Sequence, residues 1–172
     1  GRLYVGYILD INPDTLVSNY GVRISYSDDQ GSTWTRRFVA DPPPIIGSIY
    51  SFDKPHLWVD NNTLSPHEGN LYMAWILFSS GEIELSRSTD AGFTWSSPIE
   101  ISLGVSALHL NQGVNINSGS NGDVYACWAI YDVEFSVDRS EDAIGFAKST
   151  DGGQTFPTQI RAIDNIKGLG LG

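Results

Sequence analysis

Ser88-Thr89-Asp90-Ala91-Gly92-Phe93-Thr94-Trp95 decides the fold, because the chain contains it three times. The earlier copy is Ser27-Asp28-Asp29-Gln30-Gly31-Ser32-Thr33-Trp34, and the later one is Ser149-Thr150-Asp151-Gly152-Gly153-Gln154-Thr155-Phe156. All fit Ser-x-Asp-x-Gly-x-Thr-Trp/Phe, and each starts 61 residues after the one before. A fixed period of this length marks a repeat architecture.

The residue types of the octapeptide suit a tight turn between two strands. An aspartate at the third position (Asp29, Asp90, Asp151) can accept hydrogen bonds from backbone N–H groups of the turn. The glycine (Gly31, Gly92, Gly153) supplies a positive φ without steric cost. Serine (Ser27, Ser88, Ser149) and threonine (Thr33, Thr94, Thr155) satisfy further backbone groups. The closing aromatic (Trp34, Trp95, Phe156) returns the chain to the core with a large apolar surface. These roles are structural, so the motif carries fold information and little chemistry.

Strands flank each copy. Ahead of the turns lie Val22–Ser27, Ile83–Ser88 and Ile144–Ser149; after them come Trp34–Val39, Trp95–Ile101 and Phe156–Ile163. Further upstream three segments align: Gly1–Tyr7, Gly69–Trp75 and Gly122–Trp128. Each begins at a turn residue and alternates large and small side chains, as a strand does. Two shorter apolar strands precede the later pair, His56–Asp60 and Gly113–Asn117. The first unit has no counterpart to these. Arg36, Arg37, Glu100 and Arg161 fall on the last strand of each unit, where charge protects a sheet edge.

Composition narrows the classes. The chain has 172 residues, enough for a real core, and 12% aromatics with 18 glycines suit a turn-rich all-β protein. No apolar run is long enough to span a membrane. Gly1-Arg2-Leu3-Tyr4 reads as a strand and not as a signal peptide, so the chain reads as an interior or processed piece. The net charge of −10 offers no basic patch for nucleic acid. The single cysteine, Cys127, excludes an internal disulfide and lies in a strand pattern, where a buried structural thiol is expected.

The triplicated turn resembles the Asp-box, or BNR repeat, of sialidase-like β-propellers. The resemblance implies an all-β fold: a partial β-propeller of about three four-stranded antiparallel blades out of six. The blades would span 1–40 (its first strand missing), 53–102 and 109–163 of a single segment covering 1–172. Propellers close with four to eight blades. The remainder would come from further blades of a longer protein or from a second copy of this chain. The resemblance also implies a secreted or cell-surface protein. Asp-box turns in that family lie on the face away from the ligand.

The opposite face is therefore where ligands are expected, on the segments 10–21, 40–55, 77–82, 103–112 and 131–143. Residues leading into the innermost strands point toward the central pocket. Asp53, Lys54, His56, Asn111 and Gln112 are candidates to line it, with Arg139 from the last loop. The alternative is that Asp53 and Lys54 form a structural pair and His56 caps the surface. Asp132, Glu134, Asp138, Glu141 and Asp142 crowd one loop and are candidate Ca²⁺ ligands, against the plainer reading of a solvated acidic loop. No other cofactor is implied.

Sialidases clamp a substrate carboxylate with three arginines and use a Tyr/Glu pair and an Asp acid/base. The family's early Arg-Ile-Pro signature is absent here, and most arginines fall on strands, so no catalytic residue is assigned. The expected function is a propeller module that binds a glycan or a protein and is not catalytic by itself. The alternatives are a piece of an exo-sialidase-like glycoside hydrolase and a structural subunit of a larger assembly.

Overall fold

The computed structural model describes residues 1–10, 20–41, 51–105, 110–132 and 140–166, in which eleven strands form three antiparallel sheets without a helix. The first sheet holds β1 (Leu3–Asp10), β2 (Tyr20–Ser27) and β3 (Thr35–Ala40). The second holds β4 (Phe52–Val59), β5 (Leu71–Leu77), β6 (Glu82–Ser88) and β7 (Ile99–Glu100). The third holds β8 (Asn111–Ser118), β9 (Val124–Ile130), β10 (Ala143–Ser149) and β11 (Thr158–Asp164). Each sheet is a meander in chain order.

Register makes the sheets equivalent position by position. Leu3, Leu71 and Val124 pair with Ser27, Ser88 and Ser149, the serines that open the three repeated turns. β1, β5 and β9 are therefore the same strand of successive units. Contact between sheets is concentrated at the early strands: β4 and β5 lie against β8, and β1 and β2 lie against β4. The sheets fan out from that line, which makes the chain a partial β-propeller.

Two apolar layers hold the fan together. Val22, Ile24, Phe52, Met73 and Trp75 fill the space between sheets one and two. Tyr72, Ala74, Leu85, Ile116, Trp128 and Ala147 fill the space between two and three. β5 is buried along its whole length, as a strand sandwiched between two sheets must be.

The repeated turns have one geometry. Ser88 Oγ donates to Asp90 Oδ1 at 2.8 Å and accepts from Gly92 N at 2.9 Å. Asp90 then accepts from Thr94 N at 2.9 Å and from Thr94 Oγ1 at 2.6 Å. Asp29 and Asp151 repeat these bonds with Thr33 and Thr155. Two consecutive residues take left-handed φ in each turn: Gln30 and Gly31, Ala91 and Gly92, Gly152 and Gly153. The Thr33 hydroxyl and amide hold the Asp29 carboxyl down at about 2. Burial pushes Asp151 up, but the bonds from Thr155, Ser149 and Gln154 together outweigh it and bring the carboxyl to about 2.

Three strand expectations need correction. β7 is two residues, not a strand from Trp95, because Ser96 bonds β6 through single contacts and Pro98 has no N–H to donate. The innermost strands are longer than the apolar runs suggest, reaching back to Phe52 and Asn111 through bulges. Cys127 is exposed, not buried. It occupies the position where Gly6 and Ala74 touch the following sheet, and among the described residues no sheet follows the third.

Candidate ligand-binding face

Because strands alternate in direction, the three repeated turns share one face with the C-terminal ends of β4 and β8. The N-terminal ends of those strands, Phe52–Lys54 and Asn111–Gln112, open on the other face. Both strands carry a bulge there. Register slips between Asp53 and His56 against β5, and between Gln112 and Asn115 against β9. The extra residue is Lys54 in one strand and Gly113 in the other, with φ of 47° and 69°. Bulges re-aim side chains and cluster at functional rims. Glycine adopts such a φ freely, whereas a lysine there holds backbone strain.

The bulge aims Lys54 across to the next sheet, where its ammonium donates to Gln112 Oε1. Asp53 Oδ1 accepts from Lys54 N at 2.7 Å. Asp53, Lys54 and Gln112 therefore come together at the mouth between sheets two and three, with both formal charges at hand. Asp53 and Lys54 are joined through backbone, not through an ion pair.

Two other candidates serve the junction below this mouth. His56 Nδ1 accepts the Ile116 N–H at 3.2 Å, and burial lowers its pKa, so the ring is neutral. Trp58, which the sequence did not single out, donates to Ser118 Oγ at 2.9 Å. Asn111 is 2% exposed: its amide donates to Gly81 O at 2.7 Å and its carbonyl accepts from Trp128 Nε1 at 2.8 Å. Its side chain is thus committed to the fold on both sides.

Arg139, Glu134 and Asp138 lie outside the described residues. Of the remaining acidic-loop candidates, Asp132 is held by Arg161, whose Nη1 and Nη2 reach it at 2.8 and 2.5 Å. Asp142 Oδ2 accepts from Asp132 N at 2.6 Å. Glu141 accepts from the Tyr131 hydroxyl at 3.0 Å, and burial with this bond pushes the phenol up to about 12. Among the described residues no three such groups converge on a metal position. Arg161 is therefore more than an edge charge: it ties the start of the loop to β11. Arg37 likewise lies over the rings of Tyr26 and Phe93, at 5.6 and 5.3 Å from their centres.

A cleft of about 220 Å³ lies at the outer rim between β3 and the approach to β7, lined by Phe38, Asp41, Trp95 and Pro98. It is remote from the inner strands. Among the described residues no helix is long and apolar enough to cross a membrane.

Fold and face together define an incomplete all-β propeller with its polar cluster at the inner-strand mouth. No protein-family model matches the chain, and no curated protein does. Solved structures do. A protein of unknown function from Dyadobacter fermentans aligns with 98% of this chain and 40% of its own, at TM-score 0.66 and 14% identity. The Hadza microbial sialidase Hz136 aligns with 90% of this chain and 34% of its own, at TM-score 0.59 and 20% identity. An α-L-arabinofuranosidase of Fusarium graminearum aligns with 91% of this chain and 47% of its own, at TM-score 0.52 and 15% identity. The chain spans less than half the length of each, and the likeness is one of fold.

Proposed function

We propose that this chain is part of an extracellular, sialidase-like Asp-box propeller that binds a glycan at the inner-strand mouth, and that it is not catalytic by itself. The observation that carries this reading is the strained Lys54 bulge, which gathers Asp53, Lys54 and Gln112 on the face away from the repeated turns. Two charges of opposite sign and an amide suit a polyhydroxylated or carboxylated sugar. Further blades, from the same polypeptide or from a second copy, would complete the ring. Isothermal titration of the protein with sialyllactose and with arabinan oligosaccharides tests it. Saturable binding lost in Lys54→Ala supports the reading, and binding unchanged by that substitution refutes it.

A second reading is favoured by the glycosidases among the structural neighbours: a piece of a glycoside hydrolase whose remaining catalytic groups lie in other blades. Hydrolysis of a fluorogenic sialoside or arabinofuranoside by the protein that carries this chain would establish it.

A further inference from the structure

The hairpin between β5 and β6 presents an aromatic ring at the inner-strand mouth. The Phe78 N–H donates to Ser51 O at 2.9 Å, which carries the ladder of β4 and β5 one residue past Leu77. Gly81, at a φ of 74°, closes the hairpin with its N–H on Leu77 O at 2.8 Å. Its carbonyl accepts the side-chain amide and the backbone N–H of Asn111, at 2.7 and 3.2 Å. The hairpin is thus pinned to the start of β4 on one side and to the start of β8 on the other. We propose that Phe78 is the stacking platform of the mouth, and that the ligand is a neutral hexopyranoside laid with one C–H face on the ring and its hydroxyls toward Asp53, Lys54 and Gln112. The inference rests on the glycan-binding reading above and adds the ring class of the sugar and the residue that selects it.

Alternation places the ring on the required side. Ile76 packs in the layer between sheets two and three, and Leu77 in the layer between one and two. Phe78 therefore turns back toward sheet three. Asp53 pairs with Ile76 and shares that side. Phe78 and Asp53 are near neighbours on one face, with Lys54 crossing beside them to Gln112.

The third sheet supplies the contrast. Tyr131 follows β9 as Phe78 follows β5, and its N–H donates to Leu110 O at 2.9 Å. Tyr131 is 2% exposed and its hydroxyl reaches Glu141. Phe78 is 49% exposed and has no polar group to satisfy. Its backbone is held, its face is bare, and a carboxylate, an ammonium and an amide stand beside it. The C–H bonds on one face of a pyranose carry slight positive charge and suit the negative face of an aromatic ring. Hydroxyls at the sugar's edge then reach the polar groups, which fix its orientation. A furanose is smaller and puckered and offers less of such a face.

Charge selects a neutral sugar. Asp53 and Lys54 cancel one another. Arg23 and Arg161, which lie toward the same face, are held by Asp41 and Asp132. Among the described residues no guanidinium is left at the mouth to clamp a carboxylate in bidentate fashion.

Isothermal titration tests the inference on the parent chain, Phe78→Ala, Phe78→Trp and Lys54→Ala. The probes are lactose, cellobiose and mannobiose as neutral pyranosides, sialyllactose as an anionic one, and arabinotriose as a furanoside. At least one neutral disaccharide is expected to bind more tightly than sialyllactose and arabinotriose. Phe78→Ala should weaken that binding about tenfold and Phe78→Trp should retain it, with the urea midpoint of both variants unmoved. Binding that needs Lys54 but not Phe78 overturns the platform and leaves the glycan-binding reading intact. Tighter binding of sialyllactose or arabinotriose overturns the neutral pyranoside. Binding indifferent to Lys54, or none for any probe, is instead the failure of the earlier reading and overturns this inference with it.

Discussion

The junction between sheets two and three differs from the junction between sheets one and two, although both enclose an apolar layer. In the former, three side chains of β4 cross to β8: Lys54, His56 and Trp58. In the latter, cross-sheet polar contact sits at the turns, where the Arg2 guanidinium and the Tyr4 hydroxyl both donate to Ala91 O. The contrast teaches that apolar packing joins any two neighbouring sheets, whereas the pegs need an innermost strand on both sides.

The largest effects should come from the packing that the junctions share. Trp75 and Trp128 occupy equivalent positions and face the preceding sheet; Trp75 donates to Glu84 and Trp128 to Asn111. Trp75→Ala and Trp128→Ala should each cost about 3–5 kcal/mol by urea unfolding. A cheap Trp75→Ala would break the claim that the first junction is packed as tightly as the second. Overpacking sharpens the same point. A Cβ on Gly145 would lie 2.4 Å from the rigid Trp128 indole, whereas one on Gly6 would meet the flexible end of Met73 at 2.6 Å. Gly145→Ala should cost about 1–3 kcal/mol and Gly6→Ala less.

The pegs come next. Trp58→Phe leaves Ser118 without its donor and should cost about 1 kcal/mol, measured by the shift in urea midpoint. His56 gives the pegs a pH signature. Its pKa is lowered in the fold, so its contribution is present above the ordinary histidine range and lost as pH falls through the folded value. Stability measured downward from pH 7.5 should fall more in the parent chain than in His56→Gln. The smallest effect belongs to Lys54→Gly, which copies the Gly113 solution in the third sheet. Relief of strain offsets the lost bond to Gln112, so stability should change by no more than about 0.5 kcal/mol, while the glycan binding proposed above should weaken in titration.

Much of the architecture is legible in the sequence because the repeated turns are local: each is closed by hydrogen bonds within eight residues. Their even spacing therefore reports the sheets directly. The mouth is less legible, because it is built across sheets. Nothing local tells that Lys54 takes the φ of a glycine, or that Asn111 turns inward to Trp128 while Gln112 faces a lysine 58 residues away. Cys127 was misread for a related reason. Alternation says which way a side chain points, but whether that side is covered depends on what stands beyond it.

That thiol gives experimenters a clock. It sits mid-strand on the uncovered flank of the third sheet, so a maleimide should alkylate it readily in the isolated chain. Anything that seats against this flank will slow the labelling, and the rate will tell when the wheel has gained its next spoke.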